Sequence, residues 1–550
     1  MSKPASFCTI CTAGCAFELA GLLLSLSIHH KHEKIYIMCD TKTKEYIDNL
    51  TPAPLLTIVW LITLDKYTGL NRGQMENMKI WSDFQMTKAL VIKEALATES
   101  DTLFLDSDIV ITGPINEIDK TKKLGVSPGY IRKERTDAVG YYNGGVLWAS
   151  DKNIPDDWIE FTKTSRYYDQ ASIEDLVKKY SYFIFGENYN LQCWRFYVAE
   201  EGPQYIANNL SSSPDKNMVY YKKKPLKFIH THFKDNAYVH FNNLMIDHFK
   251  NARMYKILAI IYRIINDKWV LRIPKQPLPG HAHHTNDSYR ELIVLLKVRN
   301  PDVDIRYDPN TMHCWLEPNL LTNDRDLPAV YCNHETGSAS LMLIGNGDIK
   351  SERRELIARF PTLPTKPWFY WPRRPMVLEK ILKMHGILSY VERETESIFI
   401  GNFENSVQAK YRDTQVEWAS VLSEYHCTKG STHKFTNEQY LMKMRSAKYG
   451  LCLRGYGSKC HRDVELMAFG TVPLITPECN IDSYTNPLVE NIHYLSVRTP
   501  DELKAKLAQM TVEDWNTMSH ACYEWYRQNV HSGNCWKNMV SNILFDENTK

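Results

Sequence analysis

Apolar and polar positions along the chain fall into two rhythms. Residues 6 to 13 and 34 to 39 ("KIYIMC") are apolar runs of strand length, and residues 17 to 28 between them have helical length and spacing. Apolar runs from Leu55 to Leu64 and from Leu103 to Leu105 continue the alternation. Between these, "WSDFQMTKALVIKEALA" reads as a helix opened by an Asp or Ser cap. Strands alternating with helices predict an open α/β sheet. A Pro- and His-rich stretch, "IPKQPLPGHAHHTNDSY" (273 to 289), reads as a linker, after which the rhythm restarts in "VDIRYD", "PAVYCN", "PWFYWP", "SIFIGN", "YGLCLRG" and "VPLITP". The chain thus divides into a first domain (1–250), a helical connector with linker (251–285) and a second domain (286–550).

Composition narrows the classes. The 66 basic and 64 acidic side chains leave a net charge of +2, which provides no nucleic-acid footprint. The apolar N-terminal stretch is broken by Glu18 and falls short of the roughly 18 residues a membrane span needs. "MYKILAIIYRIIND" carries Lys256 and Arg263, with apolar residues 257, 261, 264 and 265 at helical spacing, so it reads as an amphipathic helix. A soluble, cytoplasmic chain is expected, its 13 cysteines reduced. Cys8-x-x-Cys11 lacks a second pair at zinc spacing and reads as small residues packed in a first strand.

The chemistry concentrates at "TLFLDSDIVITGPI" (102 to 115). An apolar strand ends in Asp106-Ser107-Asp108, and strand alternation would aim both carboxylates at one point. Two like charges that close need a cation between them or water on both, and oxygen ligands of this kind suit Mg2+ or Mn2+, which bind diphosphates. The segment resembles the metal-binding Asp-x-Asp segment of family-8-like GT-A glycosyltransferases. "YYNGGVLWAS" (141 to 150), "YYDQASI" (167 to 173) and "LKFIHTHFKD" (226 to 235) follow in that family's order. The resemblance covers about residues 5 to 245 and implies a Rossmann-like GT-A domain. It implies Asp106 and Asp108 as metal ligands, with His230 or His232 as the third. It also implies nucleotide-sugar contacts from Thr9, Thr12, Ala13, Asp40, Lys88, Asp106, Ser107, Asn143 and Gly144, and reaction-centre roles for Asp169 and Gln170. Read without the family, Asn143-Gly144 is equally a hairpin turn, and Asp169 a helix cap.

A second constellation lies in "KMRSAKYGLCLRGYGSKCHRDVELMAFGTVPLITPE" (443 to 478). A strand runs into a Gly-rich loop carrying Arg454, Lys459 and Arg462, and a helix starts near His461. Loop amides, a helix N-terminus and three cations make a site for a diphosphate. The stretch resembles exostosin-type GT-B glycosyltransferases, which implies that Glu465 holds the ribose while Arg462 and the loop hold the diphosphate, with Arg412 a further phosphate contact. That match covers about residues 386 to 530 as donor half, leaving 286 to 385 as an acceptor half.

Together the resemblances imply a bifunctional glycosyltransferase like those of large DNA viruses. It would use UDP-, GDP- or TDP-sugars on an oligosaccharide or glycoprotein acceptor, with metal needed only in the first domain. The alternative is one active transferase with a degenerate glycan-binding or scaffolding partner domain.

Overall fold

The computed structural model describes residues 2–274, 283–308, 315–316, 372–403, 406–412, 415–430, 434–455, 460–479 and 486–545. "PAVYCN", "PWFYWP" up to its last proline and most of the proposed acceptor half lie outside the described residues. The chain forms two compact units, Met1–Trp269 and Val270–Lys550.

The first unit is built on β1 (Ser6–Cys11), β2 (Lys34–Cys39), β3 (Thr57–Ile62), β4 (Thr102–Leu105), β5 (Ile109–Ile111), β6 (Leu124–Pro128), β7 (Tyr142–Ala149) and β8 (Tyr182–Ile184). All but β5 form one sheet in the order β3-β2-β1-β4-β7-β6-β8. β3, β2, β1 and β4 are parallel, and β7 runs antiparallel to both β4 and β6. β1 and β4 are buried on both faces, which is why they read as unbroken apolar runs. Cys8 and Ile10 share a core with Ala89 and Ile92 of the helix Trp81–Thr98, so Cys8 packs rather than ligates. That helix begins at Ile80 without a side-chain cap; the expected Ser82 or Asp83 cap is replaced by Asp83 inside the first turn. There its carboxylate complements the helix dipole without bonding the backbone.

The helix Tyr255–Asn266, predicted as connector, packs in the first unit against the helix Ala16–His29. Contact is close at Gly21, where a Cβ would stand 2.3 Å from Ile264 Cδ1. After β9 (Leu191–Gln192), a small sheet of β10 (Leu210–Ser213), β11 (Met218–Tyr221) and β12 (Lys224–Pro225) leads to β13 (Phe228–His230), which lies between β5 and β9. The strand order changes direction between β1 and β4, so the crevice beyond their carboxyl ends is the expected ligand position in such a sheet.

In the second unit β14 (Trp269–Pro274), β15 (Val303–Asp308) and β16 (Trp315–Leu316) form a small sheet. The larger sheet has β17 (Thr395–Phe403), β18 (Glu424–Lys429), β19 (Ala447–Cys452), β20 (Val472–Ile475) and β21 (Leu495–Ser496) in the order β18-β17-β19-β20-β21, all parallel. This is a doubly wound order with its switch point between β17 and β19. Among the described residues no helix is long and apolar enough to cross a membrane.

His29 and His30, at the end of the helix Ala16–His29, are held neutral: burial pushes both down to about 4. His30 Nε2 also accepts the Ile115 amide at 3.0 Å, a bond that protonation would remove. A histidine depressed in the folded state adds full stability above its unfolded value near 6.5 and loses it as pH falls toward 4. The denaturant midpoint of wild type should therefore fall across that window, and His30→Gln, which keeps an acceptor but cannot titrate, should flatten the fall. Equal slopes for the two proteins would remove His30 from the acid response.

Candidate metal and donor site

Asp106, Ser107 and Asp108 do not extend β4, as strand alternation suggested; they form the turn between β4 and β5. The carboxylates converge because the chain reverses. The Asp106 amide donates to Gly145 O at 2.9 Å, tying the turn to β7. Asn143 and Gly144 lie inside β7, so the hairpin reading is corrected: Tyr142 before them pairs with β6 and Val146 to Ala149 after them pair with β4, which overrides the local turn preference. The glycines serve close approach. A Cβ on Gly144 would stand 2.3 Å from Asp169 Oδ2, and one on Gly145 2.5 Å from both Asp106 Oδ2 and His230 Cε1.

Lys88, buried on the helix Trp81–Thr98, reaches this point. Its Nζ lies 3.1 Å from Asp106 Oδ1 and 3.2 Å from Asp169 Oδ2, and donates to Gly144 O at 3.2 Å. Burial alone would lower the lysine, but the two aspartates outweigh it and raise it above its ordinary value. Asp169 belongs to the short helix Tyr168–Ala171 rather than capping the next, which starts from Ser172. Its carbonyl accepts the Trp158 indole N–H at 2.9 Å and the Ser172 hydroxyl at 2.8 Å. The preceding Tyr168 has φ 37°, a left-handed conformation disfavoured for a tyrosine, which marks a segment set by its surroundings. Gln170 follows, half-buried beside Gly144.

The two histidines take different positions. His230 ends β13 and is buried, with Nε2 3.2 Å from Asp108 Oδ2 and 3.8 Å from Asp106 Oδ2. His232 lies past the strand, so alternation does not pair it with His230; its Nε2 is 3.5 Å from Asp108 Oδ2 and its Nδ1 2.9 Å from Glu18 Oε1. Asp106, Asp108 and His230 offer ligand atoms within 4.8 Å of one another.

Hydrogen bonds decide which His230 nitrogen faces the acids. Gly145 N–H donates to Asn143 Oδ1 at 3.1 Å, which fixes that amide. Asn190 Nδ2 donates to the same oxygen at 3.0 Å and to Ser127 Oγ at 3.1 Å, turning Asn190 Oδ1 toward His230 Nδ1 at 3.0 Å. Nδ1 therefore carries the proton, and Nε2 presents a lone pair to two carboxylates unless a cation or a second proton intervenes. The donor set and its orienting partner fit a divalent cation. Burial and Asp108 raise Asp106, opposed by Lys88, whereas on Asp108 the histidines overcome burial and hold it well below the usual carboxylate range.

Glu18 and Asn190 carried no motif in the sequence. The only signal was indirect: Glu18 interrupts an apolar helix face, and Asn190 sits in "NYN", a segment tolerant of its φ of 48°. Of the predicted nucleotide contacts, Thr12 and Ala13 lie just past β1 at the crevice. Asp40, expected as a nucleotide contact, accepts from Ala13 N–H (3.1 Å), Thr43 N–H (2.8 Å) and the Thr68 hydroxyl (2.7 Å), so it shapes the loop after β1. Thr9 is fully buried within β1, and Ser107 is half-buried at the turn.

In the second unit Arg412 stands at the switch point. It donates from Nη1 to Asn402 O, past the middle of β17, at 2.6 Å and from Nε to Arg454 O, just beyond β19, at 3.0 Å. Arg462, in the helix His461–Ala468, donates from Nε to Ile400 O at 2.9 Å, while its buried Nη1 has no partner among the described residues. Lys459 lies outside the described residues. Glu465, implied to hold the ribose, is buried and accepts from Tyr440 O–H at 2.7 Å and Arg373 N–H at 2.8 Å. The helix is covered on every side, so no outward face exists.

The sequence matches no protein-family profile and no curated protein. Among solved structures it is similar to the glycosyltransferase GlyE of Streptococcus pneumoniae (13% identity, 94% of this chain and 100% of that one, TM-score 0.31). It is similar also to the galactosyltransferase LgtC in complex with donor and acceptor sugar analogues (14%, 44% and 94%, 0.30) and to mouse xyloside xylosyltransferase 1 (11%, 41% and 96%, 0.27).

Because Asn190 orients His230 from behind, Asn190→Leu should weaken Mn2+ binding about 10- to 100-fold, the range for losing a ligand's orienting partner. Titration calorimetry on the full chain would read it, and unchanged affinity would detach His230 from the ion.

Proposed function

We propose that the protein is a glycosyltransferase whose first unit uses Mn2+ or Mg2+ and a nucleotide-sugar donor. The reading rests on the convergence of Asp106, Asp108 and His230 at the crevice of an α/β sheet. The ion would neutralise charge developing on a diphosphate leaving group. Asp106, Asp108 and His230 Nε2 would hold it, while Glu18 keeps His232 turned toward Asp108. Thr12 and Ala13, with Asp40 behind them, would meet the nucleotide. Asp169, with one oxygen on Lys88, is suited to orienting the donor sugar beside Gln170; nucleophile and base are its other possible roles.

The second unit would transfer a sugar without metal, its diphosphate held by Arg412, Arg454, Lys459 and Arg462. Arg462 Nη1, without a partner among the described residues, and the switch-point position support that reading. One observation favours the alternative of a degenerate glycan-binding or scaffolding unit: both Glu465 oxygens already accept protein hydrogen bonds. The setting implied is the cytoplasm, in a virus-infected host, with an oligosaccharide or glycoprotein as acceptor.

Assayed with a panel of UDP-, GDP- and TDP-sugars, the full chain should lose its metal-dependent turnover in EDTA and regain it with Mn2+. Asp108→Asn should lower that turnover about a hundredfold, the scale of a lost preorganised electrostatic contact. A variant as active as wild type would make the carboxylate pair structural. Turnover that survives EDTA and disappears in Arg462→Gln is expected for a second transferase; complete loss in EDTA would confine activity to the first unit.

A further inference from the structure

We propose that Trp194 and Tyr238 form a sugar-binding platform beside the metal centre, taking the apolar face of a pyranose. Trp194 follows β9, and Gln192 in that strand is the register partner of His230. The indole therefore stands two residues beyond the pair that places the metal-facing histidine. Its neighbours Cys193, Arg195 and Phe196 are buried, yet Trp194 is 46% exposed.

The ring is braced where it stands. It meets the Tyr238 ring edge-on at 5.1 Å, and Tyr238, itself nearly buried, lies 6.0 Å from the Tyr197 ring and 6.2 Å from the His232 ring. A continuous aromatic edge thus runs from solvent to the imidazole whose Nε2 is 3.5 Å from Asp108. A large ring held rigid but left open beside a polar, acidic centre suits a ligand with one apolar face and hydroxyl-bearing edges, which describes a pyranose.

The platform also lies on one side of the centre. Thr12, Ala13 and Asp40 stand at the ends of β1 and β2, whereas Trp194 stands beyond β9, across β13 from β5. That separation assigns the aromatic side to the acceptor sugar. The acceptor role rests on the transferase reading above; the sugar contact does not.

Full-length protein labelled with 5-fluorotryptophan would give 19F lines for its 13 tryptophans, and Trp194→Phe would identify the Trp194 line by its loss. With Mn2+ and UDP present, methyl β-glucopyranoside, methyl β-galactopyranoside and methyl α-mannopyranoside serve as probes, with acyclic mannitol as control. At least one pyranoside should shift the Trp194 line saturably, mannitol should not, and Tyr238→Leu should weaken that response about two- to tenfold, as for loss of an aromatic pair. A line unmoved by all three, or moved equally by mannitol, overturns the platform. Nucleotide-sugar turnover measured on the same protein separates the two claims. Turnover with an unmoved line removes the platform alone, while a shifted line without turnover supports the sugar site and removes the transferase.

Discussion

Carboxylates can be buried at the end of an apolar strand only if positive charge reaches them, and in the first unit Lys88 meets that condition. Its ammonium ties Asp106, from the turn after β4, to Asp169, from a helix more than sixty residues further along. One lysine does not balance the local charge, because Asp108 and Glu18 lie in the same neighbourhood. The surplus falls on the side where His230 and His232 stand. A cation is the simplest group that would satisfy both the acids and the His230 lone pair.

The two units meet opposite electrostatic demands at equivalent places. Each has a sheet whose strand order reverses, between β1 and β4 in one and between β17 and β19 in the other, and each places its charged residues at that reversal. In the first the excess is negative. In the second Arg412 and Arg462 are buried near each other; burial and that neighbour lower Arg412, with Cys460 opposing them. Asp463 and Glu465 are buried in the same cluster, both raised by burial against the pull of Arg462. Arg462 Nη1, unpartnered among the described residues, suits an anion where the first site suits a cation.

Close approach sets the geometry of the first site. Gly144 and Gly145 let β7 run against Asp169, Asp106 and His230 at distances a side chain would not tolerate. Asn190, in a left-handed conformation that asparagine accepts readily, then turns its amide so that His230 exposes Nε2. Tyr168 holds a less tolerant version of the same conformation beside Asp169.

Local pattern carried the elements: β1, β2, β4, β17, β19 and β20 are buried strands whose apolar runs identify them without any partner in view. It also carried the aspartate pair, because two charges in an apolar run conflict with burial whatever the fold. The chain by itself did not decide how that pair converges, since a turn and a strand end look alike until β5 finds β13. Nor did it separate hairpin from strand at Asn143-Gly144, where the pairing of Tyr142 with β6 and of Val146 to Ala149 with β4 carries the chain straight through. Nor did it show that Tyr440 and Arg373 occupy both Glu465 oxygens, because a helix covered on every side has no pattern of inner and outer positions. Glu18, Lys88 and Asn190 gain their roles from residues 214, 81 and 40 positions away or thereabouts, Glu18 with His232, Lys88 with Asp169 and Asn190 with His230. Periodicity reports how a residue relates to its own element; which charges meet across elements is fixed only when the sheet closes.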